Sequence, residues 1–149
     1  MKKYKTILLV VTTIIFVAFG IFILRQENEK KIDIEINNET IETEVASTKK
    51  KRTKGLSERE SISFDEGMLY VYEEPDYIAM WMKGMNFPLD IIWLDEDKKI
   101  ITYKKNVSPS TYPDYFTPDK PAKYVVEVKS GFIKKNNLQV GEKFNFDFK

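Results

Sequence analysis

Leu89-Asp90-Ile91-Ile92-Trp93-Leu94 sets the architecture of this chain. It is apolar on both faces except at Asp90, so an extended chain here must be covered on two sides, as a strand inside a sheet is. Asp95-Glu96-Asp97-Lys98 then makes a solvated turn into a second strand over 99–105. Upstream, Gly84 to Pro88 reads as a loop, and Tyr77 to Lys83 reads as a strand reached through a turn at Glu74-Pro75-Asp76. Before that turn Met68-Leu69-Tyr70-Val71-Tyr72 is strand-like and follows a turn at Asp65-Glu66-Gly67. Downstream, Asn106 to Pro121 is a long Pro- and Tyr-rich surface loop, and 124–129 is another strand. After a turn at Val140-Gly141-Glu142, Phe144, Phe146 and Phe148 share one face of a last strand.

Nearer the N-terminus, Ile32, Ile34 and Ile36 alternate with Asp33 and Glu35, and Ile41, Thr43 and Val45 resume the period of two. Asn37-Asn38 between them tolerates positive φ, which makes the pair a β-hairpin. Lys49 to Lys54 fits a short helix with Thr48 as N-cap and Gly55 closing it. Ser57 and Glu60 have capping-box spacing for a further helical turn. The pattern predicts an all-β fold, mostly antiparallel and barrel-like, with one or two short helices.

Residues 6–24 carry no charge over 19 positions, about 28 Å of helix and close to the hydrocarbon thickness of a bilayer. Lys2, Lys3 and Lys5 precede this span and favour a cytoplasmic N-terminus. The division that follows is a basic cytoplasmic stretch at 1–5, a transmembrane anchor at 6–24, a tether at 25–31 and an extracytoplasmic β-domain at 32–149. The alternative is a signal peptide cleaved near Ala18-Phe19-Gly20, although Ile21 to Leu24 continues the apolar run. Either way the domain leaves the cytoplasm, with the bilayer contacted through residues 6–24.

The 149 residues contain 24 basic and 23 acidic side chains, no His and no Cys. Six of the basic and two of the acidic residues fall in 1–31, which leaves the domain with a net charge of −3 and no attraction to nucleic acid. Disulfides, thiolate metal sites, cysteine nucleophiles and Ser-His-Asp triads are excluded. No cofactor and no metal is expected. Asp95-Glu96-Asp97 lacks the ligand pattern of a calcium loop.

Several stretches together resemble the domain of unknown function 192, a bacterial and archaeal family. They are Arg52, Gly55-Leu56-Ser57-Glu58-Arg59, Gly67-Met68-Leu69-Tyr70, Met80-Trp81-Met82-Lys83, Pro88-Leu89-Asp90-Ile91-Ile92, Glu127, Gly131 and Gly141-Glu142-Lys143. The resemblance implies a compact β-rich, barrel-like domain, often exported or membrane-tethered, and assigns no activity. Where the family usually follows Trp-Met-Lys with Asn-Thr, this chain has Gly84-Met85.

Candidate binding residues are Arg59, Trp81, Lys83, Asp90, Glu127, Tyr112 and Tyr115. A carboxylate in an apolar strand is costly unless paired, and Lys83, Arg59 and Arg52 are the partners expected for Asp90. That set reads as a charged pocket walled by Trp81, or more plainly as a structural ion pair; Glu127 has the same two readings. Tyr112 to Pro118 is an aromatic, Pro-stiffened loop, suited to a sugar or peptide or else packed over one end of the sheet. The run Lys49 to Lys54 reads as a solvated helix face or as an attraction to anionic lipid. Three functions follow: a module binding a small ligand or envelope component, a hydrolase-like enzyme using Lys83 and Asp90, and an accessory subunit of a membrane complex. No complete catalytic constellation is visible, which puts binding first.

Overall fold

The computed structural model describes residues 10–17 and 30–148. Residues 10–17 are helical; the rest of the span expected at 6–24 lies outside the described residues, as do 1–5 and most of the tether. Among the described residues no helix is long and apolar enough to cross a membrane.

Six strands form one mixed sheet: β1 (Lys31–Ile36), β2 (Glu39–Ala46), β3 (Glu66–Asp76), β4 (Leu89–Leu94), β5 (Ile100–Val107) and β6 (Ala122–Lys129). Their order across the sheet is β1-β2-β3-β6-β4-β5. Every pair is antiparallel except β2–β3, which runs parallel because the helix α1 (Lys49–Lys54) and the loop behind it carry the chain back. A second short helix, α2 (Phe132–Lys135), follows β6.

The local expectations at the N-terminal side hold. Asn37 and Asn38 both have positive φ, as a two-residue hairpin turn requires. The Thr48 hydroxyl accepts the Lys51 N–H, and Gly55, at φ +52°, closes α1. Beyond this point four expectations are corrected. β3 continues through Pro75, which sits where its pairing with β6 is interrupted between Val71 and Asp76 and no ladder donor is required. The turn at 57–60 is not helical, and the Ser57 hydroxyl donates to the Lys83 carbonyl at 2.8 Å. Residues 77–83 form no strand: their burial alternates, yet only Met80 pairs, in a single bridge to Phe116.

The fourth correction concerns the barrel. The sheet stays open, and 144–148 is not a strand. Residues 141–145 instead cross between the two edges. They exchange hydrogen bonds with Lys98 and Ile100 beside β5, then Asn145 and Glu35 of β1 bond to each other at 2.8 and 2.9 Å. Each edge is touched too briefly to build a ladder.

Both faces of the sheet are nevertheless covered. Leu89, Ile91 and Trp93 of β4 join Met68, Tyr70 and Val125 under the 56–87 segment. Ile92 and Leu94 join Ile34, Ile41, Val126, Phe132 and Phe144 on the other face. All six β4 residues are buried, as the sequence pattern requires. Phe144 is fully buried, so Phe144→Ala should cost about 3–5 kcal/mol in urea denaturation. A loss below about 1 kcal/mol would mean that this segment only rests on the surface.

Candidate functional site

Asp90 does not meet Lys83, Arg59 or Arg52. It points with Ile92 to the α2 face, and its carboxylate accepts three backbone N–H groups: Asn106 at 2.7 Å, Gly131 at 3.1 Å and Ile133 at 2.9 Å. The first belongs to a bulge in β5, where the register against β4 shifts between Leu89 and Ile91 and Asn106 adopts positive φ. The other two are donors at the start of α2, whose N-cap position, Gly131, has no capping side chain. Asp90 therefore stitches strand to helix, and the expected Lys83–Asp90 catalytic pair is not assembled.

Glu127 lies on the opposite face, between Met68 of β3 and Ile91 of β4. It is 3 % exposed and accepts the Tyr70 hydroxyl at 2.7 Å. Burial pushes its carboxyl up to about 7, against the opposing pull of the Tyr70 hydrogen bond. Burial and the neighbouring Glu127 charge drive the Tyr70 hydroxyl well above its ordinary value, which keeps it a donor. These two groups line a cavity of about 60 Å³ whose other walls are residues 52–57, Tyr72, Ala79, Met80, Trp81, Lys83 and Met85. Gly55 makes that closeness possible, since a Cβ there would stand 2.4 Å from the Tyr70 hydroxyl oxygen. Arg52 is anchored over the Tyr72 ring by hydrogen bonds to the Ser47 and Val71 carbonyls.

Trp81 also faces outward. Tyr115 stacks on it with ring centroids 5.2 Å apart, Tyr112 meets it edge-on at 6.2 Å, and the Lys83 ammonium lies over its ring. Tyr115 remains 61 % exposed. Arg59 sits apart from this cluster in a two-pronged pair with Glu44 at 2.6 and 2.7 Å. Of the seven predicted residues, the fold thus brings together Trp81, Lys83, Glu127, Tyr112 and Tyr115, and separates Asp90; Arg59 does not line the cavity, although its charge acts on the Tyr70 hydroxyl. Tyr70 and Lys54 were missed. Tyr70 carried one signal, because a tyrosine on a buried strand face needs a partner for its hydroxyl.

The site belongs to a single open β-sheet domain with a small polar cavity beneath a short basic helix. The chain is a member of the domain of unknown function 192 family, an uncharacterized ACR family whose model matches residues 31–146. A protein from Sinorhizobium meliloti 1021, provisionally assigned as a transcription regulator, has a similar crystal structure at 26 % identity and TM-score 0.74, covering 79 % of this chain and 95 % of that one. A protein of unknown function from Novosphingobium aromaticivorans DSM 12444 shares the fold at 24 % identity and TM-score 0.71, covering 77 % and 83 %. No curated protein matches the chain. Arg52, Gly55, Leu56, Ser57, Tyr70, Met80, Trp81, Lys83 and Glu127, drawn from five of the stretches that carry the resemblance, all line the cavity, and so does Met85 of the departing Gly84-Met85 pair.

Two outcomes are expected. Asp90→Asn turns one acceptor into a donor facing backbone N–H groups and should cost about 2–4 kcal/mol in urea denaturation, whereas exposed Lys83→Met should stay within about 0.5 kcal/mol. Equal losses for both variants would restore the ion pair. Glu127 holds its proton to about 7 when folded against an ordinary 4.5, so folding takes up a proton between those values. Its contribution is then most favourable below pH 4.5 and is lost as pH rises through 7, by on the order of 3 kcal/mol. Glu127→Gln should flatten that slope, and a slope unchanged by the substitution would assign it to other groups.

Proposed function

We propose that the domain is a saccharide-binding module held at the extracytoplasmic face of a cell membrane, with an anionic sugar of envelope polymers as its ligand class. The observation that carries this reading is the double role of Trp81, which walls the Glu127–Tyr70 cavity and also supports the Tyr112–Tyr115 aromatic cluster. A cavity of about 60 Å³ is roomy enough to hold ordered water and so to take a hydroxyl or hydroxymethyl group. The ring then stays outside, against the open side of Tyr115, while the inserted hydroxyl donates to Glu127. Lys83 at the cavity supplies the cationic partner that favours an acidic sugar. The placement outside the cytoplasm rests on the uncharged stretch 6–24 and the basic residues ahead of it.

Titration of the full chain in detergent with glucuronate-containing and neutral oligosaccharides, followed by NMR, tests the reading. The acidic sugar should bind saturably and shift the Trp81 indole signal. Trp81→Ala should weaken binding at least tenfold, about 1.4 kcal/mol, and Lys83→Met should erase the preference for acidic over neutral sugar. Absence of saturable shifts with either sugar would end the proposal.

A further inference from the structure

The helix α1 buries none of its own side chains, and four of its six residues are lysine and one arginine, with no acid in its first turn. A helix that adds nothing to the core and concentrates cations stands out in a domain whose net charge is −3. Its position is equally specific. Lys31 at the start of β1 pairs with Glu44 of β2, and the Val45 N–H bonds to the Lys30 carbonyl at 2.9 Å. β2 ends at Ala46, so α1 begins beside the point where the chain joins the sheet from its N-terminal side. The acidic side chains of β2 at this end are engaged, Glu42 by Lys31 and Glu44 by Arg59. Lys49, Lys50 and Lys54 are exposed.

We propose that α1 docks on an anionic lipid surface through Lys49, Lys50 and Lys54, which orients the domain on the membrane. The inference rests on the anchored reading of residues 6–24. From Leu24 only residues 25–30 lead to β1, a length of about 20 Å when fully extended. An anchored chain therefore keeps the α1 end of the sheet within reach of the headgroups, where each lysine gains from the negative surface potential. Arg52, Thr53 and Lys54 also line the Glu127 cavity, so docking sets that cavity beside the bilayer.

The test is lysine-acetylation footprinting of the full chain reconstituted in nanodiscs of phosphatidylcholine alone or of phosphatidylcholine with one-quarter phosphatidylglycerol. Lys49, Lys50 and Lys54 should label several-fold more slowly in the anionic discs, and high salt should restore their rates. Lys134, beyond the opposite end of β6, should label equally in both. Lipid-independent labelling in a chain that stays in the discs would overturn the docking alone. Recovery of the chain outside the discs would overturn the anchor and the docking with it, while leaving sugar binding to be judged by its own titration.

Discussion

The arrangement depends on a carboxylate buried inside an apolar strand. Asp90 is 1 % exposed, and such a charge is tolerable only when most of its acceptor capacity is used. Three backbone N–H groups use it, and each would otherwise lack a partner: one left over by the β5 bulge, two at the start of α2. Charge-assisted bonds of this kind are short and strong. They fix where α2 begins, and thereby place Phe132 and Ile133 in the second core, where Phe144 also packs.

Glu127 shows the same chemical group put to a different use. It is nearly as buried and lies on the strand next to β4, but it faces the other side and accepts a hydrogen bond from Tyr70. With fewer donors than Asp90 and a cavity beside it, its charged form is poorly compensated. Its carboxyl therefore titrates near neutrality. The number of donors around each carboxylate, rather than depth of burial, separates the two groups.

Sequence pattern captured what depends on neighbours along the chain. The hairpin at Asn37-Asn38, the caps of α1 and the two-sided burial of β4 all follow from local chemistry. It failed where hydrogen bonding departs from burial. Residues 77–83 alternate in exposure like a strand without joining a ladder, and Pro75 disguises the continuation of β3 through an interruption in pairing. Asp90 was visible as an anomaly, but side-chain patterns do not show backbone N–H groups, so a lysine and arginines were expected in their place. The Tyr70–Glu127 contact spans 57 positions and was beyond any local signal, even though both residues stood in the stretches that resemble the family.

The crossing made by residues 141–145 imposes an order in time on the molecule. Synthesis proceeds from the N-terminus, so the hairpin and then the four remaining strands are complete before Phe144 exists. Until it does, β1 and β5 lack even the brief contacts that 141–145 makes and the second core lacks its aromatic plug, a condition in which strands recruit other chains. A nascent domain stalled before residue 141 would hold all six strands and still be exposed to aggregation.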